Sequence, residues 1–177
     1  MVRLEKFEYA DFEQLIGWVN HEEILTAWAG KLFSFPLTTR SLEWYIRDTN
    51  EINVSTAFVY KAVDEQDKIV GHISLGSISW ENSAARLTRV LVGDPKHRSK
   101  GCCHDMVKAI LKIAFEELRL HRVGLGVYSD NPAATKCYEK NGFITEGVSR
   151  DIMWHNNKWY SMIEMSILEN EWRSLNA

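Results

Sequence analysis

Apolar and polar positions alternate with a period of two in several stretches of the first half of the chain, which predicts β-strands. The strand-like runs cover residues 2–9, 55–63, 68–80 and 85–92. The last three are separated only by short polar segments, 64–67 and 81–83, of the kind that form tight turns. The pattern therefore predicts an antiparallel meander of three strands, preceded by a further short strand.

The second half of the chain changes to a helical period. Between residues 101 and 119, apolar side chains recur at steps of three and four, and residues 122–128 then read as a strand. A strand, a helix and a strand in this order imply one parallel crossover within the sheet. We therefore predict a mixed α/β fold with a mostly antiparallel sheet.

Shorter elements complete the prediction. Asp11 is a candidate cap for a first helix, residues 39–48 favour a second, and the aromatic segment 22–38 between them shows no regular pattern. Asn131 followed by proline starts a short helix that Gly142 ends. The remaining pattern predicts strands at 143–148 and roughly 152–168, then a helical turn at 169–175.

Composition limits the class of protein. The chain has 177 residues, 45% of them hydrophobic, and a formal net charge of −3, so we expect one globular domain over residues 1–177 that does not bind nucleic acid. Three cysteines, an odd number, argue against a disulfide framework and for a reducing compartment. We see neither a signal peptide nor a membrane span and expect a cytoplasmic protein.

The segment Arg98-Ser-Lys-Gly-Cys-Cys103 lies between an apolar strand and the longest predicted helix. A helix N-terminus offers unpaired N–H groups and a partial positive charge, which together suit a phosphate. By itself the segment is a weak signal and is more often a solvated loop with two ordinary basic residues. A second segment, running from Asn131 to Phe143 as Asn-Pro-Ala-Ala-Thr-Lys-Cys-Tyr-Glu-Lys-Asn-Gly-Phe, follows one strand later.

Taken together, the two segments resemble the GNAT superfamily of acyl-CoA-dependent N-acetyltransferases. The resemblance is sharpest over residues 85–172, and its tail is similar to the ribosomal-protein (Rim-type) branch. It implies a GNAT-like fold in which residues 1–50 form acceptor-side helices, residues 85–143 the acyl-CoA-binding core and residues 144–177 the C-terminal strands. It also implies acetyl-CoA as co-substrate, held by Val90, Val92, Arg98, Ser99, Lys100, Gly101, Cys102, Cys103 and Asn131.

The resemblance also assigns catalytic roles. Tyr138 would face the sulfur and protonate the departing thiolate, which its phenol can do because it is protonated at neutral pH. Arg86 occupies the strand position where many relatives carry a catalytic glutamate, so the general base is open. Among Glu81, Asp151 and Glu164, our first choice is Asp151.

Other features leave alternatives open. Trp28, Phe33 and Phe35 are candidates for the wall of an acceptor pocket, although they suit a core equally well. Adjacent cysteines without a paired set do not predict a metal site. The acceptor is a primary amine: a protein N-terminus, a polyamine, an aminoglycoside or another small amine. The competing hypothesis is a non-catalytic acyl-CoA sensor. Aromatic residues near the C-terminus suggest a homodimer.

Overall fold

A computed structural model describes residues 1–98 and 100–177. Its centre is a seven-stranded sheet with the order β1-β2-β3-β4-β5-β7-β6. The strands are β1 Arg3–Lys6, β2 Phe58–Val63, β3 Ile69–Ser79, β4 Ala84–Val92, β5 Arg122–Tyr128, β6 Ile144–His155 and β7 Lys158–Leu168. The helices are α1 Phe12–Trp18, α2 Glu22–Ala29, α3 Thr39–Ile46, α4 Cys102–Lys112, α5 Pro132–Lys140 and α6 Glu169–Leu175. The predicted mixed α/β class is confirmed.

The order of the strands confirms the predicted meander and crossover. The strands β2, β3 and β4 pair antiparallel in sequence order, whereas β4 and β5 pair parallel. The crossover between them contains α4, which a π-helical turn at Ile113–Glu117 extends. All other pairs in the sheet are antiparallel.

Each face of the sheet is covered by its own apolar cluster. One cluster packs α4 and α6 against the sheet through side chains such as Ile110 and Trp172. The other packs α1, α2 and α3 against the opposite face through side chains such as Leu15, Trp28 and Leu42. The helices therefore lie on both faces of the sheet.

Two elements differ from the prediction. Residues 22–29 form α2, although the sequence favoured an irregular segment; only one face of this short helix is buried, by Leu25 and Trp28. The strand expected at 152–168 is interrupted by a hairpin turn at Asn156 and Asn157: its first residues end β6, which begins at Ile144, and the rest form β7. Both asparagines have positive φ, of 50° and 59°, which is the backbone that a two-residue hairpin turn needs.

The expectation that no disulfide forms is wrong. Cys103 in α4 is bonded to Cys137 in α5, with their Cα atoms 6.5 Å apart, and Cys102 remains a buried free thiol. The pairing was hidden because 34 residues separate the two cysteines, and only the strand β5 between the helices brings them together. Among the described helices, none is both long and apolar enough to cross a membrane.

Candidate active site

The site begins where β4 and β5 stop pairing. The two parallel strands pair only from Ala84 to Arg86 of β4, although β4 continues to Val92 and β5 to Tyr128. Between their C-terminal halves lies a cleft of 820 Å³ that reaches α2, α4 and α5. Strand edges that have no partner there present backbone N–H and C=O groups, which suit a ligand rich in amide groups.

One end of the cleft is built for an anion. Gly101 precedes α4 with a φ of 83°, a left-handed backbone that favours glycine, and the first N–H groups of α4 face this end. Arg98 lines the same end and donates from Nε to the carbonyl of Val92 at 3.2 Å. Lys136 and Lys140, one helical turn apart on α5, add two positive charges.

Tyr138 lies on the same helix and is buried, with 8% of its surface exposed. Its ring packs against Phe143 with the ring centroids 5.9 Å apart, and the side chain lines the cleft. Burial raises the pKa of the phenol to about 12, so the hydroxyl keeps its proton throughout the neutral range. Within residues 1–98 and 100–177 that hydroxyl makes no hydrogen bond, and it is therefore available to a ligand.

The other wall belongs to the face of the sheet that α1, α2 and α3 cover. Arg89 sits at a bulge in β4, with a φ of 51°. Its Nε donates to the Tyr45 hydroxyl at 3.0 Å, and its guanidinium carbon lies 5.0 Å from the centre of the Tyr45 ring. Trp28 fixes the bulge from above, since its indole N–H donates to the Arg89 carbonyl at 3.0 Å. A buried aromatic frame thus holds this arginine in place.

The charged side chains of the described lining are all basic. Arg86 reaches across β5 to Glu164 on β7, with an Nη2–Oε2 distance of 2.9 Å, and Glu164 is not itself part of the lining. In the part of the chain that the structure describes, five arginines and lysines and two histidines line the cleft, and no aspartate or glutamate does. The cleft is therefore suited to anionic ligands and offers no carboxylate base.

Most of the residues expected at the site are brought together by the fold. The cleft lining contains Trp28, Val90, Val92, Arg98, Gly101, Cys102, Cys103, Asn131 and Tyr138. Asn131 also caps α5, because its side chain accepts a hydrogen bond from the N–H of Ala134. Ser99 lies outside the described residues.

Four expected site residues are not in the lining. Phe33 and Phe35 pack beside α2 and at the surface, and Lys100 is exposed on the far side of its loop. Asp151 lies on β6, where it is exposed and its backbone N–H binds the Ser161 hydroxyl. The structure does not bring this preferred base to the cleft, because the β6–β7 hairpin carries it away along the sheet.

Sequence reasoning missed Arg89, Lys136 and Lys140. The signal for Arg89 was present: Thr88 and Arg89 are two consecutive polar residues inside an apolar strand, a break in alternation that is typical of a bulge. The two lysines are four residues apart on a helix, which places them on one face.

The fit of this cleft to a CoA thioester is good, since the helix N-terminus and basic side chains suit phosphates and the open strand edges suit the amides of the pantetheine arm. A profile of the family described as Acetyltransferase (GNAT) domain matches residues 2–144. The chain belongs to the GNAT acetyltransferases. The protein is therefore an acyltransferase whose donor is acetyl-CoA, as the resemblance of its two motifs implied.

Individual relatives agree with this assignment. The chain is 25% identical to spermidine N(1)-acetyltransferase of Vibrio cholerae over 170 residues, which cover 96% of this chain and 94% of that protein. It is 31% identical over 105 residues, 58% of the chain and 56% of the relative, to the probable N-acetyltransferase YjcK of Bacillus subtilis. A crystal structure of the V. cholerae spermidine N-acetyltransferase with CoA and spermine superposes with a TM-score of 0.84 at 22% identity, covering 97% and 98% of the two chains. That likeness establishes the shared fold.

Proposed function

We propose that this GNAT protein acetylates the primary amine of a small acceptor, which enters the cleft from the side of α2 and α3. The observation that carries the proposal is the continuous cleft: its anion-binding end lies at α4, and its other wall is formed by Trp28 and Arg89. A donor that enters from one end and an acceptor that enters from the other would meet where β4 and β5 separate. The similarity to a spermidine acetyltransferase supports a small amine as acceptor.

In this reaction the free amine attacks the thioester carbonyl, a C–N bond forms, and the C–S bond breaks with its electron pair on sulfur. Val90 lines the cleft on β4, beyond the last residue that pairs with β5, and its backbone N–H would hold the acyl carbonyl and stabilise the developing oxyanion. Tyr138 also lines the cleft and would donate its proton, or a hydrogen bond, to the departing thiolate. The proton of the attacking amine leaves to water.

The proposal is tested by incubating the protein with acetyl-CoA and a panel of primary amines, and by identifying N-acetylated products by mass spectrometry. We expect stoichiometric release of CoA with at least one amine of the panel. Tight binding of acetyl-CoA without turnover on any amine would instead favour the non-catalytic sensor.

The donor site is tested separately at Gly101. A Cβ atom there meets nothing within 4 Å, so Gly101→Val places its side chain in open space beside the helix N-terminus. We expect at least a tenfold weaker affinity for acetyl-CoA, measured well below the melting temperature because valine is strained at a φ of 83°. Gly147→Ala, on exposed β6 with equally open surroundings, is the control and should bind as wild type does. Unchanged affinity in Gly101→Val would place the phosphates elsewhere.

A further inference from the structure

The side chain of Arg89 is half-buried, and most of its N–H donors have no acceptor among the described residues. It has five N–H donors, of which only the one on Nε has a protein acceptor, the Tyr45 hydroxyl at 3.0 Å. Among the described residues, neither terminal nitrogen makes a hydrogen bond, and no carboxylate oxygen lies within 4.0 Å of this side chain. The terminal nitrogens are accessible from the cleft, so four N–H donors remain for a ligand.

The fold holds this side chain toward the cleft. The bulge at Arg89 and Val90, opposite Ile73 of β3, turns the arginine to the face that bears Tyr45. Its Nη2 lies over Gly76, where a Cβ atom would approach to 3.5 Å. The bulge in β4, and not an ion pair with a carboxylate, therefore sets the orientation of the guanidinium.

Arg89 is also in the right position to contact an acceptor rather than the donor. It directly precedes Val90, beside which the acyl group is expected, and it lies on the sheet face opposite α4, where the phosphates are expected. Arg86, nearby on the same strand, already has Glu164 as its partner. Arg89 is thus the cation on this wall whose charge and donors are left for a ligand.

We propose that Arg89 binds an oxyanion group, a carboxylate or a phosphate, carried by the acceptor amine. This inference rests on the proposed acetylation of a small amine and narrows its substrate class. A guanidinium binds such groups in a two-pronged manner through parallel N–H donors. A polyamine, in contrast, would bring further positive charge to a wall that has no acidic side chain among its described residues.

The experiment compares matched amines that differ in charge. Putrescine is compared with 4-aminobutanoate, in which a carboxylate replaces the second aminomethyl group, and ethanolamine with O-phosphoethanolamine. Spermidine is added as a third cationic probe. We expect the anionic member of at least one pair to have at least a tenfold higher kcat/KM. Which pair responds distinguishes a carboxylate from a phosphate.

Arg89→Gln should remove that preference by raising KM for the anionic probe, whereas Arg89→Lys should keep part of it because the charge remains. Arg40→Gln, on the exposed side of α3, makes the same change in net charge and should behave as wild type. Binding of 4-aminobutanoate and of O-phosphoethanolamine to the CoA-loaded protein, measured by calorimetry, gives a readout that needs no turnover and should be lost in Arg89→Gln.

The outcomes separate the two proposals. Preference for putrescine and spermidine, unchanged in Arg89→Gln, would overturn the inference and leave the proposed function intact. An equal loss of kcat in Arg89→Gln for both members of a pair, with KM unchanged, would overturn it too, because the arginine would then act on the reacting atoms. Failure of every amine as acceptor, with the anionic probes still bound through Arg89, would overturn the proposed function alone.

Discussion

Removal of the Tyr138 hydroxyl tests whether this buried phenol assists the departure of the thiolate. Tyr138→Phe keeps the ring that packs on Phe143. It removes a hydroxyl that has no hydrogen-bond partner among the described residues. We therefore expect almost no change in stability or in the affinity for acetyl-CoA, and a defect confined to the chemical step.

The size of that defect follows from two pKa values. The phenol of Tyr138 has a pKa raised to about 12, and an ordinary thiol has a pKa of about 8.5. On those values proton transfer to the thiolate would be uphill by about 5 kcal/mol. The tyrosine therefore contributes mainly a hydrogen bond to the sulfur as negative charge develops there, rather than a complete proton transfer.

This hydrogen bond strengthens as the C–S bond breaks and charge moves to the sulfur. A hydrogen bond to a charged group contributes about 1.5–3 kcal/mol. The expected loss in kcat is therefore about 10–150-fold.

The measurement is single-turnover acetyl transfer with saturating acetyl-CoA, together with a separate titration of acetyl-CoA affinity. Tyr60→Phe is a matched control: burial also raises the pKa of Tyr60 to about 12, but this residue on β2 is not part of the cleft. Wild-type rates in Tyr138→Phe with the chemical step rate-limiting would refute the reasoning. A weaker affinity with unchanged kcat would make the hydroxyl a binding contact.

Three further results are expected. Reduction of the Cys103–Cys137 bond, or Cys137→Ser, should lower the free energy of unfolding by about 4 kcal/mol, because the unfolded chain is no longer closed into a loop across a 34-residue separation. Identical unfolding curves with and without reductant would show that the thiols are unpaired. Trp154 and Trp159, which pair across β6 and β7 and are 47% and 53% exposed, should support a dimer in sedimentation at micromolar concentration, and a monomer at every concentration would contradict this. Burial, and secondly Arg89, lower the pKa of His72 to about 3, so below pH 6.5 the unfolded state binds a proton that the folded state does not. The free energy of unfolding should therefore fall by up to about 1.4 kcal/mol per pH unit as the pH decreases from 6.5. If His72→Gln leaves this slope unchanged, other groups cause it.

The elements that the sequence predicted well are those whose local chemistry determines them. Asn131 and Pro132 at the start of α5, and Gly142 after it with a φ of 89°, carry their own start and stop signals. The segment before α4 that we propose binds phosphate was recognisable for the same reason, since glycine and basic residues must adjoin a helix start to act there.

The features that were missed depend on contacts between distant segments. The bond from Cys103 to Cys137 needs α4 and α5 side by side, and the partner of Arg86 is a glutamate 78 residues away. The preferred base, Asp151, was chosen by its place in a motif, but which side of a hairpin faces a cleft is decided by strand register. Its role remains a prediction that the geometry does not support.

The described lining holds no carboxylate, and the buried His72 nearby shows how these surroundings act on a cation. This side chain lies on the sheet face of Tyr45 and Arg89, and its ring stays neutral because burial and the nearby arginine disfavour a positive charge. His72 lies outside the cleft lining, but Arg89 is part of it, and its positive charge disfavours an ammonium beside it. When the acceptor carries an oxyanion, that group by itself would hold the proton on the amine, and pairing with Arg89 cancels both charges. On the proposed binding mode, Arg89 therefore selects the acceptor and also removes the hold of the oxyanion on the amine proton, which the amine then loses to water.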